Sequence, residues 1–263
     1  MNWFDQSIIH FLNSFAHRSW ILDAVIGRIS SNDFIDGGIL MALFWWAWIK
    51  HGEENRENRE LLAGNIVATA CAVVLARLLA LSLPYRERPL REPLLHFTLP
   101  YGSSPQSLIH WSAFPSDHAV LTFCVVTGLW LVSRRLGIAA AIYGLATNIP
   151  RIYIGAHYPT DVVVGILLGI AVGGLFAVPS LRNIVGTGLN YLDPYPACLY
   201  ALLFACTFEI AEMFDSLRQL AVLAARTVML LTPGEMNAVG IPLMVLLLGI
   251  LGWLRWRRHK AAA

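Results

Sequence analysis

The chain has 263 residues, 57% of them hydrophobic and only 14% charged, with a net charge of +2 and a mean hydropathy of +0.59. A soluble domain carries roughly a quarter charged residues, so this composition excludes disorder, a collagen-like fibre and most soluble enzymes. The charge is too weak for a nucleic-acid partner, and Cys71, Cys124, Cys198 and Cys206 sit in apolar runs without metal or disulfide spacing.

What fits is an all-α, polytopic membrane helical bundle: about six to seven spanning helices plus interfacial amphipathic helices, in one integral-membrane domain over 1–263. Residues 2–17 place Phe4, Ile8, Phe11 and Phe15 at helical spacing and predict an interfacial helix. They lack the basic leader and long apolar core of a cleavable signal. Apolar runs follow at 34–49, where Asp36 intrudes; 61–83, with Arg77 inside it; 115–132; 136–149, stopped by Pro150; 162–178; 196–208; and 238–254. Residues 216–232 predict a second interfacial helix.

Lys50, Arg56, Arg59, Arg134, Arg135, Arg182 and the basic tail at 255–260 mark cytoplasmic ends. The runs then alternate in direction, and the outer face holds 84–114, 150–160 and about 211–237. That face should be poor in arginine, yet Arg77, Arg86, Arg88, Arg91 and Arg151 all map to it. An arginine at membrane depth costs a few kcal/mol unless it has a partner or a function.

Two histidines share the same face. His118 ends Phe114-Pro115-Ser116-Asp117-His118, read as a helix start with Pro115 at the first helical position and the amides of 116–118 open to an anion. His157 precedes Asp161 by one helical turn, a reach at which a carboxylate can orient an imidazole. His10, His17, His51 and His259 are read as structural. Phe97, Tyr101, His110 and Trp111 suit either a lid or interfacial anchors.

These segments resemble the type-2 phosphatidic acid phosphatase family of membrane lipid phosphatases. The family's motifs are Lys-x6-Arg-Pro, Pro-Ser-Gly-His and Ser-Arg-x5-His-x3-Asp. Here Arg88-Pro89, Pro115-Ser116-Asp117-His118 and Arg151-x5-His157-x3-Asp161 match them in order. The resemblance covers about 60–178, the expected catalytic core, and leaves 195–263 as additional membrane helices. Asp117 in the glycine position is similar to the undecaprenyl-diphosphatase branch. Two further departures are Leu81, where the family has lysine, and Pro150, where it has serine. Arg77 or Arg86 is expected to supply the missing cation.

The resemblance implies metal-independent hydrolysis of a lipid phosphate or diphosphate, without a cofactor, at the outer face of the cell (inner) membrane. His157 would be the nucleophile, Asp161 its orienting acid and His118 the acid and base for the leaving group and water. Arg88, Arg151, Ser116, Arg77 and Arg86 would bind the phosphate. Undecaprenyl diphosphate is the favoured substrate; phosphatidate, phosphatidylglycerol phosphate or a lipid A phosphate is the alternative. A lipid phosphotransferase, or a non-catalytic transporter or scaffold, is the competing reading.

Overall fold

A computed structural model describes residues 2–52, 55–103, 111–220 and 223. The described secondary structure is entirely helical. Among the described residues nine α-helices follow in order: α1 (Trp3–Asn13), α2 (Trp20–Ser31), α3 (Ile39–Ala47), α4 (Arg56–Ser82), α5 (Asp117–Val132), α6 (Arg134–Tyr153), α7 (Pro159–Phe176), α8 (Pro179–Leu192) and α9 (Pro196–Ala211). Residues through Phe214 form one compact unit, and 215–263 form another. In the second unit, 215–220 are helical. The run at 238–254, His110, His259, the basic tail and most of 216–232 lie outside the described residues.

Local chemistry sets the boundaries. α4 begins a turn and a half before its apolar run because the Asn55 side chain accepts the Glu57 amide at 2.9 Å. α5 begins at Asp117, not Pro115, with Ser116 as its N-cap. α6 does not stop at Pro150 but continues to Tyr153, as helices packed among other helices can. α3 is lengthened by π-helical turns at Phe34–Gly38 and Trp48–Gly52. The sequence reading had no helix at α2 or α8.

The centre is α4, α5, α6 and α7. Gly165, Gly169 and Gly173 recur every four residues on α7 and form its contact face with α5. A Cβ at Gly165 would lie 2.6 Å from the Ser116 carbonyl oxygen, and one at Gly169 2.8 Å from the Cys124 nitrogen. Small residues at this spacing let two backbones meet, which lipid alone would not drive. The two helices therefore start side by side, bringing 116–118 against 157–161.

The opposite face of α7 carries exposed Val163, Leu167, Ile170 and Leu175. α6 shows a similar stripe of Ile138, Ile142, Leu145 and Ile149, and α4 one of Val67, Val74, Leu78 and Leu81. Apolar faces this continuous are too large for a water-soluble monomer. α4 and α7 are also long and apolar enough to cross a membrane.

Gly169→Leu is expected to force α7 off α5, at about 1–3 kcal/mol or more. The melting temperature in detergent and phosphate release should both fall. Leu167→Ala, on the exposed face, should leave both near wild type.

At the end away from His118 and His157, the arginines have partners. Arg56 bonds Glu60, Asp193, Asn190 and the Gly186 carbonyl; Arg59 bonds Asp193; Arg182 pairs with Glu57 and Glu60. Arg56, Arg59 and Arg182, expected to mark a cytoplasmic end, are thus also tied into a network of side chains. These contacts fasten α8 and its C-cap Asp193 to the first turns of α4.

Candidate active site

The site assembles at the end of the bundle where α5 and α7 begin and α4 and α6 finish. The loop before α7 presents His157, which is buried at 3% exposure. Its Nδ1 lies 2.7 Å from the Ala113 carbonyl oxygen. A carbonyl can only accept, so Nδ1 carries the proton and Nε2 keeps its lone pair. Burial pushes the His157 ring down to about 3, reinforced by Arg88 and Arg151 and opposed by Asp117 and the Ala113 bond. The ring is therefore neutral at ordinary pH, the form a nucleophile needs.

His118, in the first turn of α5, faces two carboxylates. Its Nδ1 is 3.1 Å from Asp117 Oδ1 and its Nε2 3.3 Å from Asp36 Oδ2. One nitrogen of each histidine and an Asp117 oxygen lie within 4.8 Å of one another. Chain positions 118 and 157 thus meet in one pocket.

Asp161 is not the group that holds the His157 ring. Their closest approach is 4.0 Å, and the Ala113 carbonyl takes the place expected of the carboxylate. Asp161 instead accepts the Tyr158 amide at 2.8 Å, capping α7, and pairs with Arg86. It fixes the loop that carries His157.

The arginines divide by task. Arg88 is 4% exposed and donates to the carbonyls of Trp111 at 3.1 Å, Ala156 at 2.7 Å and Ser112 at 3.4 Å. This ties the strap before α5 to the loop before α7 and leaves two of five N–H groups for another acceptor. Burial lowers the Arg88 pKa, opposed by Asp117 and Asp161. Arg151 pairs with Asp36 through Nη2, while its buried Nε has no protein partner. An unpartnered buried guanidinium N–H near the neutral His157 ring can seat an anion.

Arg77 pairs with Asp117 and lies 4.5 Å over the Trp111 ring, so it reaches the pocket through that carboxylate. Arg86 is committed to Asp161, Asp5 and Thr160 and stacks on Tyr158 at 4.0 Å. Ser116 Oγ accepts the Ala119 amide at 3.5 Å. The Ser116 amide donates to the Asp161 carbonyl and that of His118 to Asp117. The first bond ties the start of α5 to α7, and both amides are occupied and not open to an anion. Tyr101 stacks on His17, and the Phe97 ring packs at Gly155, whose φ is +73°.

Two carboxylates here escaped the sequence reading. Asp36 belongs to the π turn before α3. Asp5, fully buried on α1, accepts from Thr160 N at 2.8 Å, Thr160 Oγ1 at 2.7 Å and Arg86 at 2.7 Å. The signal was present: Asp5 shares a helix face with Ile9 and Leu12, and Asp36 interrupts an apolar run.

Set against known proteins, residues 66–183 match the PAP2 superfamily. The chain is 24% identical over 172 residues to undecaprenyl-diphosphatase BcrC of Bacillus subtilis, covering 65% of this chain and 82% of that protein. It is 27% identical over 185 residues to lipid A 1-diphosphate synthase of Escherichia coli, covering 64% and 73%. With the decaprenylphosphoryl-5-phosphoribose phosphatase of Mycobacterium tuberculosis it shares 34% over 124 residues, covering 46% and 61%.

Proposed function

The core of this chain, residues 66–183, belongs to the PAP2 superfamily, and from that premise we propose that the protein is an integral-membrane lipid phosphatase working through a phosphohistidine. The observation that carries this is the pairing of a neutral, buried His157 with His118 inside a shell of arginines. His157 Nε2 attacks phosphorus as the bond to the lipid oxygen breaks. His118 gives that oxygen a proton, then takes one from water. The water oxygen attacks the phosphohistidine, inorganic phosphate leaves and His157 returns to its neutral form. Arg88 and Arg151 neutralise the equatorial oxygens.

Two histidines and a carboxylate within 4.8 Å could also suit a metal ion. The charge around them favours an anion: Asp117 already holds Arg77, and Arg88 and Arg151 face the same space. Turnover is expected to be unchanged in excess chelator. Loss of activity there, restored by a divalent cation, would replace the arginine mechanism with a metal one.

The favoured substrate is a polyprenyl diphosphate of the undecaprenyl class, because Asp117 replaces the family glycine and a relative is named for that activity. Phosphatidate, phosphatidylglycerol phosphate and lipid A phosphates are the alternatives. The acceptor is water, and a phosphotransferase would need a lipid hydroxyl in its place. About six to seven spans, counting 34–49 and 238–254, give the site an outward face. Supporting that orientation, Arg134 and Arg135 are exposed at the end away from the site. Phosphate release from a panel of these lipids, with intact spheroplasts and lysed cells compared, tests substrate and face together. Release from none would leave the transporter or scaffold reading.

A further inference from the structure

Asp36 lies outside the matched segment, yet it touches two groups that the proposed reaction uses. One oxygen, Oδ2, accepts from Arg151 Nη2 and lies 3.3 Å from His118 Nε2. We infer that Asp36 is a positioning residue that ties the phosphate-binding arginine to the leaving-group acid, an assignment resting on the hydrolase reading above.

A carboxylate that only offset Arg151 would need no second partner. Sharing a single oxygen fixes the separation of the two groups. That oxygen occupies Nη2 and leaves the buried Nε–H, which has no partner among the described residues, for a phosphate oxygen. The His118 ring is hydrogen-bonded through Nδ1 to Asp117, while its Nε2 lies within ion-pair reach of Asp36 without a hydrogen bond to it, so that nitrogen can still serve the leaving oxygen. Without Asp36 it is held at one end only and can turn away from the leaving oxygen.

The backbone that carries Asp36 is itself pinned. The Tyr143 hydroxyl of α6 donates to the Ile35 carbonyl. Gly37 packs so tightly on Ala211 at the end of α9 that a Cβ there would lie 2.6 Å from the Ala211 Cα. The π turn Phe34–Gly38 is thus set by two elements, α6 and α9, before substrate arrives, as a precise site requires. At 9% exposure, the carboxylate has no solvating role.

The test compares Asp36→Asn and Asp36→Ala with wild type on two substrates. One is a long-chain alkyl phosphate, whose leaving oxygen needs a proton. The other is an alkyl-tailed nitrophenyl phosphate, whose phenolate leaves without one. On the alkyl phosphate, kcat should fall about 30-fold or more. On the aryl phosphate the burst of nitrophenolate, which needs no proton, should slow less than about threefold, while steady-state turnover falls because His118 also activates the water. In a double-mutant cycle, Asp36→Ala should add little once His118→Ala is present. Melting in detergent checks folding, and if the alanine variant does not fold, the asparagine variant carries the comparison.

A phenolate burst slowed as much as alkyl phosphate turnover, additive losses with His118→Ala, or an unchanged kcat on the alkyl phosphate would overturn the assignment while leaving the hydrolase reading intact. An inactive wild type would overturn the hydrolase reading, and this assignment with it.

Discussion

His157→Ala is expected to abolish phosphate release, lowering kcat by roughly 10⁴-fold or more, with the melting temperature in detergent little changed. Loss of a nucleophile removes a covalent route that the remaining groups cannot replace. The Ala113 carbonyl loses its ring partner, but the strap it belongs to stays fastened by Arg88. The pH behaviour follows from the ring's environment. With its pKa pushed down to about 3, His157 stays uncharged from pH 5 to 9, so an acidic limb in that range comes from substrate or another group. Nitrogen NMR of histidine-labelled protein in detergent should show one ring as the neutral Nδ1–H tautomer across this range, absent in His157→Ala. A ring that titrates near pH 6.5 would place His157 in water and remove its claim to be the nucleophile.

Arg88→Ala is expected to cost about 10²–10³-fold in kcat/KM, and Arg88→Lys should recover little of it. The lysine restores a charge beside His157. It cannot reach the carbonyls of Trp111, Ser112 and Ala156 together, because its three donors radiate from one nitrogen while the guanidinium spreads five across a plane. Both variants should also melt earlier, since those contacts join the strap before α5 to the loop before α7. A lysine variant with full activity would show that charge alone matters at this position and that the fastening is incidental.

The residues proposed to carry the chemistry stood out in the sequence because they were misplaced in it. Arginines on a face that should lack them, and histidines at two helix starts, are expensive in an apolar chain. The structure brings 88, 118, 151 and 157 to one end of the bundle. What the sequence could not display are the backbone partners. The Ala113 carbonyl that sets the His157 tautomer is invisible in a string of side chains, and so Asp161, one turn away, took its role on paper. Arg86 was read as a phosphate ligand for the same reason: its true acceptors, Asp5 and Thr160, are 81 and 74 residues away in the chain.

The fold was most legible where apolar period and length agree, as in α4 and α7. The glycines at 165, 169 and 173 were readable at four-residue spacing and explain why α5 and α7 meet so closely. α2 and α8 were missed because both are short and neither is apolar throughout; their burial comes from packing on α6 and α4. α6 was cut short by a proline that the packed bundle tolerates.

The covalent intermediate is the most direct test. Wild-type protein quenched during turnover of a lipid phosphate labelled with ³²P should carry label that is stable in base and lost in acid, and peptide mapping should place it on His157. His118→Ala given an aryl phosphate should accumulate more of it, because water is no longer activated. A wild-type enzyme that turns over steadily yet never holds label on His157 would contradict the account at its centre.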